Sequence, residues 1–285
     1  MNVFSFGLFA DCQYAEKQKA RNRHYQRAAK KLQECIEVFN KSNLAFVVNL
    51  GDLIDGGFSN FKKVLDIASQ FDGNVCHLVG NHDFDVKENE KGNVLQTLGI
   101  TRPYRSFVVD AWRFVVIDGT EISLFRYPAG SQEHATANEC HLKRAPDSAE
   151  WNGAVGKAQL DWLANQLTSA QVAEESVIIL SHFPVYPADP HNLWNAGDLA
   201  FIQGFDCVKA FISGHNHHGN YANWDGKHYL CLRAMVDTRN RNSFCIVDVH
   251  EDRLVVRGFG REERRILRLI STGRDQSNEG PKYCM

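Results

Sequence analysis

The stretch Ala45-Phe-Val-Val-Asn-Leu-Gly-Asp-Leu-Ile-Asp-Gly56 passes from an apolar run into Gly51-Asp52 and then a second carboxylate, Asp55. Residues 45–50 read as a buried strand, a short apolar run closed by a turn signal. The same arrangement recurs elsewhere in the chain. Val3–Ala10 runs into Asp11-Cys12-Gln13, and Val75–Val79 into Gly80-Asn81-His82-Asp83. Val177–Leu180 leads to Ser181-His182, and Val208–Ile212 to Gly214-His215-Asn216-His217. Ligands collect at the carboxyl ends of strands in α/β sheets, so strand ends this rich in metal-competent side chains predict one shared site. Phe114–Ile117 adds a further buried strand. Between the strands, Ala15–Phe39, Phe61–Phe71 and Lys157–Leu167 place apolar residues three and four apart, as helices do. The alternation predicts an α/β fold.

The last third is organised differently. Tyr221 to Phe259 gives short strands separated by turn signals at Trp224-Asp225-Gly226 and Glu251-Asp252, a pattern of antiparallel strands completing a sheet or forming a second one. Residues 121–152 are polar and read as a surface excursion or an active-site cap. The tail after Arg274 is polar and reads as loose. With no repeat and no low-complexity linker, residues 1–285 are expected to form a single domain.

The formal net charge of -2 gives no bulk attraction to nucleic acid or to an anionic membrane. No apolar run has the length of a membrane span. The eight cysteines are scattered without a CxxC pair, and the chain opens on strand-like residues rather than a leader. Both features point to reduced thiols in the cytoplasm. The expected partner is a small anionic molecule, attracted locally by metals or a few arginines. Nothing in the sequence speaks to oligomeric state.

The residue types suit two divalent metals. Asp11 and Asp52 bring charge, and one carboxylate can bridge two cations. His182, His215 and His217 bring imidazoles, while Gln13 and Asn81 bring amide oxygens. On an extended segment Asp11 and Gln13 would share one side, with Cys12 turned into the core. A tight turn at His215-Asn216-His217 would split its imidazoles between the metals. Glycines before Asp52, Asn81 and His215 permit sharp backbone excursions. A single buried His or Asp is usually structural; seven in this order are a site.

The motifs DxQ, GDxxD, GNHD, the SH before Phe183-Pro184, and GHNH resemble the five-motif signature of calcineurin-like metallophosphoesterases from Asp11 to His217. That resemblance implies a β-sandwich flanked by helices, a four-layer αββα arrangement with two metals at the strand ends. By position, Asp11, Gln13, Asp52 and His217 would hold one metal, and Asp52, Asn81, His182 and His215 the other. His82 would stand beside the metals and protonate the leaving oxygen, with Asp55 as its partner. Asp83 is read as a loop-stabilising carboxylate, and His218 as a surface residue pointing away.

The family usually has DxH where this chain has Asp11-Cys12-Gln13. An amide oxygen hardens the site, favouring Mn2+, with Mg2+ or Fe2+ as alternatives, over zinc. In this the chain resembles the manganese-dependent ADP-ribose/CDP-alcohol diphosphatases. The Arg21–Arg27 segment, Trp151-Asn152-Gly153, Pro184-Val185-Tyr186-Pro187 and Arg257–Arg261 agree with that branch. The implied reaction is hydrolysis of a nucleoside diphosphate phosphoanhydride by a metal-bridging hydroxide. Its rivals are a cyclic-nucleotide or general phosphodiesterase or phosphomonoesterase, and a non-catalytic scaffold. Candidate substrate contacts are Arg21, Arg23, His24, Asn152, Gly153, Arg257 and Arg261. Tyr186 and Trp194 are candidates to stack on a base. On its own, Arg21–Arg27 would read as a solvated helix face.

Overall fold

A computed structural model describes residues 2–269. In chain order the strands are β1 (Asn2–Phe9), β2 (Phe46–Asn49), β3 (Val75–His77), β4 (Arg105–Val109), β5 (Trp112–Val116) and β6 (Ser176–Leu180). They continue with β7 (Val208–Ser213), β8 (Asn220–Trp224), β9 (Lys227–Cys231), β10 (Ser243–His250), β11 (Arg253–Gly260) and β12 (Arg265–Arg268). The helices are α1 (Tyr25–Asn40), α2 (Asn60–Ala68), α3 (Val94–Thr97), α4 (Gln132–Arg144) and α5 (Lys157–Val172).

The strands form two six-stranded sheets, ordered β12-β11-β10-β1-β2-β3 and β4-β5-β6-β7-β9-β8. Strands β1, β2 and β3 are parallel, as are β5, β6, β7 and β9. Their carboxyl ends therefore lie along one edge of each sheet, and each motif follows one of these ends.

Side-chain alternation builds the layers. Phe6 and Leu8 of β1 face the second sheet with Phe46 and Val48, against Phe114, Val116, Ile178, Leu180 and Ile212. On the other face, Phe9, Val47 and Ile246 meet Leu32, Cys35, Ile36 and Phe39 of α1. Gly7 makes this approach possible, because a Cβ there would lie 2.8 Å from the Phe39 ring. The outer face of the second sheet packs Val115, Ile117, Ile179 and Phe211 on Leu163 and Leu167 of α5. The result is the four-layer α–β–β–α sandwich that the motifs implied.

The late strands complete both sheets rather than forming one of their own, and β9 runs parallel to β7, contrary to the antiparallel expectation. β8 and β9 extend the second sheet, while β10, β11 and β12 extend the first. The edge strand β4 was not among the expected strands. The predicted helix over Ala15–Phe39 starts only at Tyr25. Its first ten residues spend their backbone groups elsewhere: His24 N–H donates to Val236 O, and Thr238 N–H to Asn22 O. Arg21 sits in the left-handed region at φ 53°, which no helix tolerates. The polar excursion at 121–152 contains α4, whose first turn is capped by Ser131 Oγ accepting from His134 N–H. The tail after Arg274 lies outside the described residues. No helix among the described residues is long and apolar enough to cross a membrane.

Candidate metal centre

Four of the seven predicted ligands have left-handed backbones: Asp11 (φ 51°), Gln13 (46°), Asp52 (54°) and His215 (71°). This conformation costs a non-glycine residue on the order of 1–3 kcal/mol, so the surrounding structure must enforce it. The loops after β1 and β2 enforce it by zipping together. Asp11 N–H donates to Gly51 O (3.1 Å), Gln13 N–H to Asp52 O (2.8 Å) and Tyr14 N–H to Leu53 O (3.1 Å). The segment from Asp11 to Gln13 is thus not extended, contrary to expectation, although Cys12 does turn into the core.

Asp83 ties the second and third motifs together. Its Oδ1 accepts from the N–H groups of Leu53 (2.8 Å) and Ile54 (3.2 Å), and its Oδ2 from Asp52 and Gly80 (both 2.9 Å). Gly80 lies so close beneath Asp52 that a Cβ would stand 2.1 Å from Asp52 Oδ1 and 2.6 Å from His182 Nε2. Gly80→Ala is therefore expected to fold, yet to lower metal affinity and turnover by about 100-fold or more through displaced ligands. Metal titration followed by an activity assay checks this; unchanged metal binding would contradict it.

The three histidines are anchored by one ring nitrogen and aim the other inward. His182 Nδ1 lies 2.9 Å from Leu50 O, His215 Nε2 2.9 Å from Asn152 Oδ1, and His217 Nδ1 3.1 Å from Asp237 Oδ1. Such outer partners set tautomer and ring angle, as they do for ligating imidazoles. The inward nitrogens converge. His182 Nε2 is 3.1 Å from His215 Nδ1 and 3.4 Å from Asp52 Oδ2, while His217 Nε2 is 3.7 Å from Asp11 Oδ1. Gln13 Nε2 lies 3.1 Å from both Asp52 Oδ2 and His217 Nε2. A half-turn of that amide would place its oxygen at the same point.

This donor set fits divalent cations. Asp11 Oδ1, Gln13 Oε1 and Asn81 Oδ1 are buried without a hydrogen-bond partner, an arrangement costing about 1–3 kcal/mol per group unless a ligand satisfies it. Electrostatics agree. Burial raises the Asp11 carboxyl above its usual range. At Asp52, His182 and His82 overcome burial and hold the carboxyl well below that range. Burial opposes charge on His182, but Asp52 outweighs it and lifts that imidazole to about 9. His215 is driven well down by burial, with the His182 charge adding to the effect. The inward nitrogens thus compete for positive charge that a cation would supply.

Beside these donors, His82 N–H donates to Asp52 Oδ1 (2.8 Å), and its Nδ1 lies 3.4 Å from Asp55 Oδ1. Lys17 Nζ (2.6 Å) and Arg23 Nη1 (3.4 Å) also hold Asp55. Burial alone would raise the Asp55 carboxyl, but His82 and Lys17 bring it down to about 2. His82 rises above the usual imidazole value: burial opposes the charge, and Asp52 and Asp55 prevail.

A cavity of about 410 Å³ opens over this centre, lined by Gln13, Asp52, Asn81, His82, His215 and His217 together with Arg21 and Arg23. The other proposed substrate contacts are not brought to it. His24 precedes the first turn of α1. Asn152 is buried behind His215, and Gly153 packs against the backbone of Gly119. Tyr186 stacks among Trp224 and Tyr229; Trp194 lies on His141 and donates to Ala149 O. Arg257 pairs with Asp248 on the sheet surface, and Arg261 donates to Ala234 O. His218, expected to point away, lines the cavity, as do Trp151, His191 and Asp237. Trp151 was visible in the sequence only as a neighbour of Asn152. Asp237 had no local signal, since its role arises from packing against His217.

The model of the calcineurin-like phosphoesterase family matches residues 4–219. A manganese-dependent ADP-ribose/CDP-alcohol diphosphatase of Arabidopsis thaliana is 31% identical, over 91% of this chain and 95% of that protein. The Homo sapiens protein of the same name is 29% identical, over 93% and 92%. The crystal structure of a dimetal phosphatase from Danio rerio superposes with a TM-score of 0.85 at 27% identity, covering 95% of this chain and 100% of that one. With the motifs, the two-sheet sandwich and the family match in agreement, the chain belongs to the calcineurin-like phosphoesterases.

Proposed function

We propose that this protein is a manganese-activated, two-metal hydrolase that cleaves the phosphoanhydride bond of ADP-ribose, CDP-alcohols or related nucleoside diphosphate compounds. The observation that carries this reading is the convergence of the seven motif donors on one centre, five of them lining its cavity and three of their oxygens buried and unpaired. The names of the relatives supply the substrate class. Asp11, Gln13 and His217 would hold one cation, Asn81, His182 and His215 the other, and Asp52 both. The amide oxygens of Gln13 and Asn81 suit a harder ion such as Mn2+. When bound, the two cations would supply an acidified water and neutralise phosphoryl charge. Cys12, Cys35 and Cys245 pack in the core as free thiols, which suits the reducing cytoplasm.

In this reading His82 keeps a proton at Nε2 for the leaving oxygen, and Asp55 at Nδ1 orients the ring and stabilises its charge. His82→Ala is expected to lower kcat by roughly 10²–10⁴-fold on anhydride substrates. The pH dependence has a definite sign. His82 acts protonated, so activity is full below its raised pKa and falls as pH rises through it. Asp55→Asn removes a charge that raises that pKa, so the alkaline limb should move to lower pH. An unmoved limb would sink the role of the pair.

The deciding assay supplies Mn2+, Mg2+ or Zn2+ to metal-stripped protein and follows ADP-ribose, CDP-choline, cyclic AMP and nitrophenyl phosphate. Fast, manganese-dependent cleavage of the first two is expected. Efficient hydrolysis of cyclic AMP or the nitrophenyl ester with ADP-ribose and CDP-choline left intact would overturn the proposal.

A further inference from the structure

The cavity lining holds two chemically different groups of side chains. One is Arg21, Asn22 and Arg23. Arg23 Nη1 is 3.2 Å from His82 Nε2, the atom assigned to the leaving oxygen, and 3.4 Å from Asp55 Oδ2. The other group, beside His215, is aromatic. Trp151 is 40% exposed, its ring 5.0 Å from those of both His191 and His215. His191 is itself held by Asp189, 2.6 Å from its Nδ1. A planar, partly exposed indole above a metal-competent histidine offers a stacking face, which sugar or phosphate does not need and a nucleobase does.

From these two groups we infer that the enzyme binds its substrate in one direction. The base lies on Trp151 and His191, the departing phosphate lies against Arg21 and Arg23, and water attacks the phosphorus that bears the nucleoside. The inference rests on the proposed function and deepens it. A leaving oxygen must meet His82, and whatever it carries must lie beside His82, where the guanidinium of Arg23 stands. The substituent that stays on the attacked phosphorus then takes the aromatic side. The water oxygen bonds to the nucleoside phosphorus, and the bond from that phosphorus to the bridging oxygen breaks. The bridging oxygen leaves with its electron pair and receives the His82 proton, while the water proton passes to solvent. ADP-ribose thus yields AMP and ribose 5-phosphate, with the new oxygen in AMP.

Hydrolysis of ADP-ribose and CDP-choline by the manganese-loaded protein in ¹⁸O-water, read by mass spectrometry, tests the direction. The label is expected in AMP and CMP. Label in ribose 5-phosphate or phosphocholine would overturn the inference while leaving the proposed function standing, whereas failure to cleave either compound would remove both. The base platform is tested by comparing ADP-ribose with the base-free dimethyl diphosphate. Trp151→Ala should lower kcat/KM roughly tenfold more for ADP-ribose than for the base-free compound, and Trp151→Phe should restore most of that selectivity. Equal losses on both substrates would overturn the platform.

Discussion

Asp52→Asn is expected to fold normally and to lose about four orders of magnitude in turnover. The side chain of Asp52 touches both halves of the centre, with Oδ2 near Gln13 (3.1 Å) and His182 (3.4 Å), and Oδ1 accepting from His82 N–H (2.8 Å). An asparagine oriented to keep that last bond retains the loop, so the fold survives. It removes the one carboxylate placed between the two donor groups. Losing a cation's charge stabilisation costs several kcal/mol, and about 5.5 kcal/mol is roughly 10⁴-fold in rate. Elemental analysis should find fewer than two metals per chain, and His182 should titrate lower because Asp52 is what raises it. Two tightly held ions with near-normal turnover would show that Asp52 bridges nothing.

Asp83→Ala should act on stability instead. Four backbone N–H groups converge on this buried carboxylate, and truncation leaves them without acceptors. Each such loss costs about 1–3 kcal/mol, less what an entering water recovers. A net loss of about 3–5 kcal/mol is expected, lowering Tm by roughly 10 °C in a chain of this size. Burial, with the Asp52 charge adding to it, pushes the Asp83 carboxyl up to about 7. The four donors pull the other way and leave no direction free for a carboxyl proton, so the ionised acceptor is the form that fits. Asp83→Asn should be little better, since its NH2 would face two N–H groups. A Tm within a degree or two of wild type would refute the assignment of Asp83 as the tie between the loops.

How much of this was legible in the sequence depended on distance along the chain. The seven proposed ligands could be read because each lies within a few residues of the end of an apolar run, and the end of a parallel strand is a fixed place in a sandwich. Asp237 could not, because it reaches His217 only after β9 has passed through the second sheet. Arg21 and Arg23 were found for a partly wrong reason. They looked like the start of α1, but they lie in an irregular segment pinned to residues 236–238, which is what brings them to the cavity. Tyr186, Arg257 and Arg261 came from segments that agree with the branch and Trp194 from its aromatic ring, but local partners claim each of them. Trp151 and His191 form a cavity wall through tertiary packing that no local pattern encodes.

The pairing of β1 with β10 has a consequence for the order in which the protein is made. β1 pairs with β2 on one side but with β10 on the other, and residues 235 and 236 donate their N–H groups to Ala10 O and Asp11 O. All five motifs precede residue 220. A ribosome that has translated every one of them has still not made residues 235 and 236, which complete the bonding of the first. Such long-range closure is slow to form. The Asp11 loop is among the first parts of the protein to emerge and among the last to acquire its full set of hydrogen bonds.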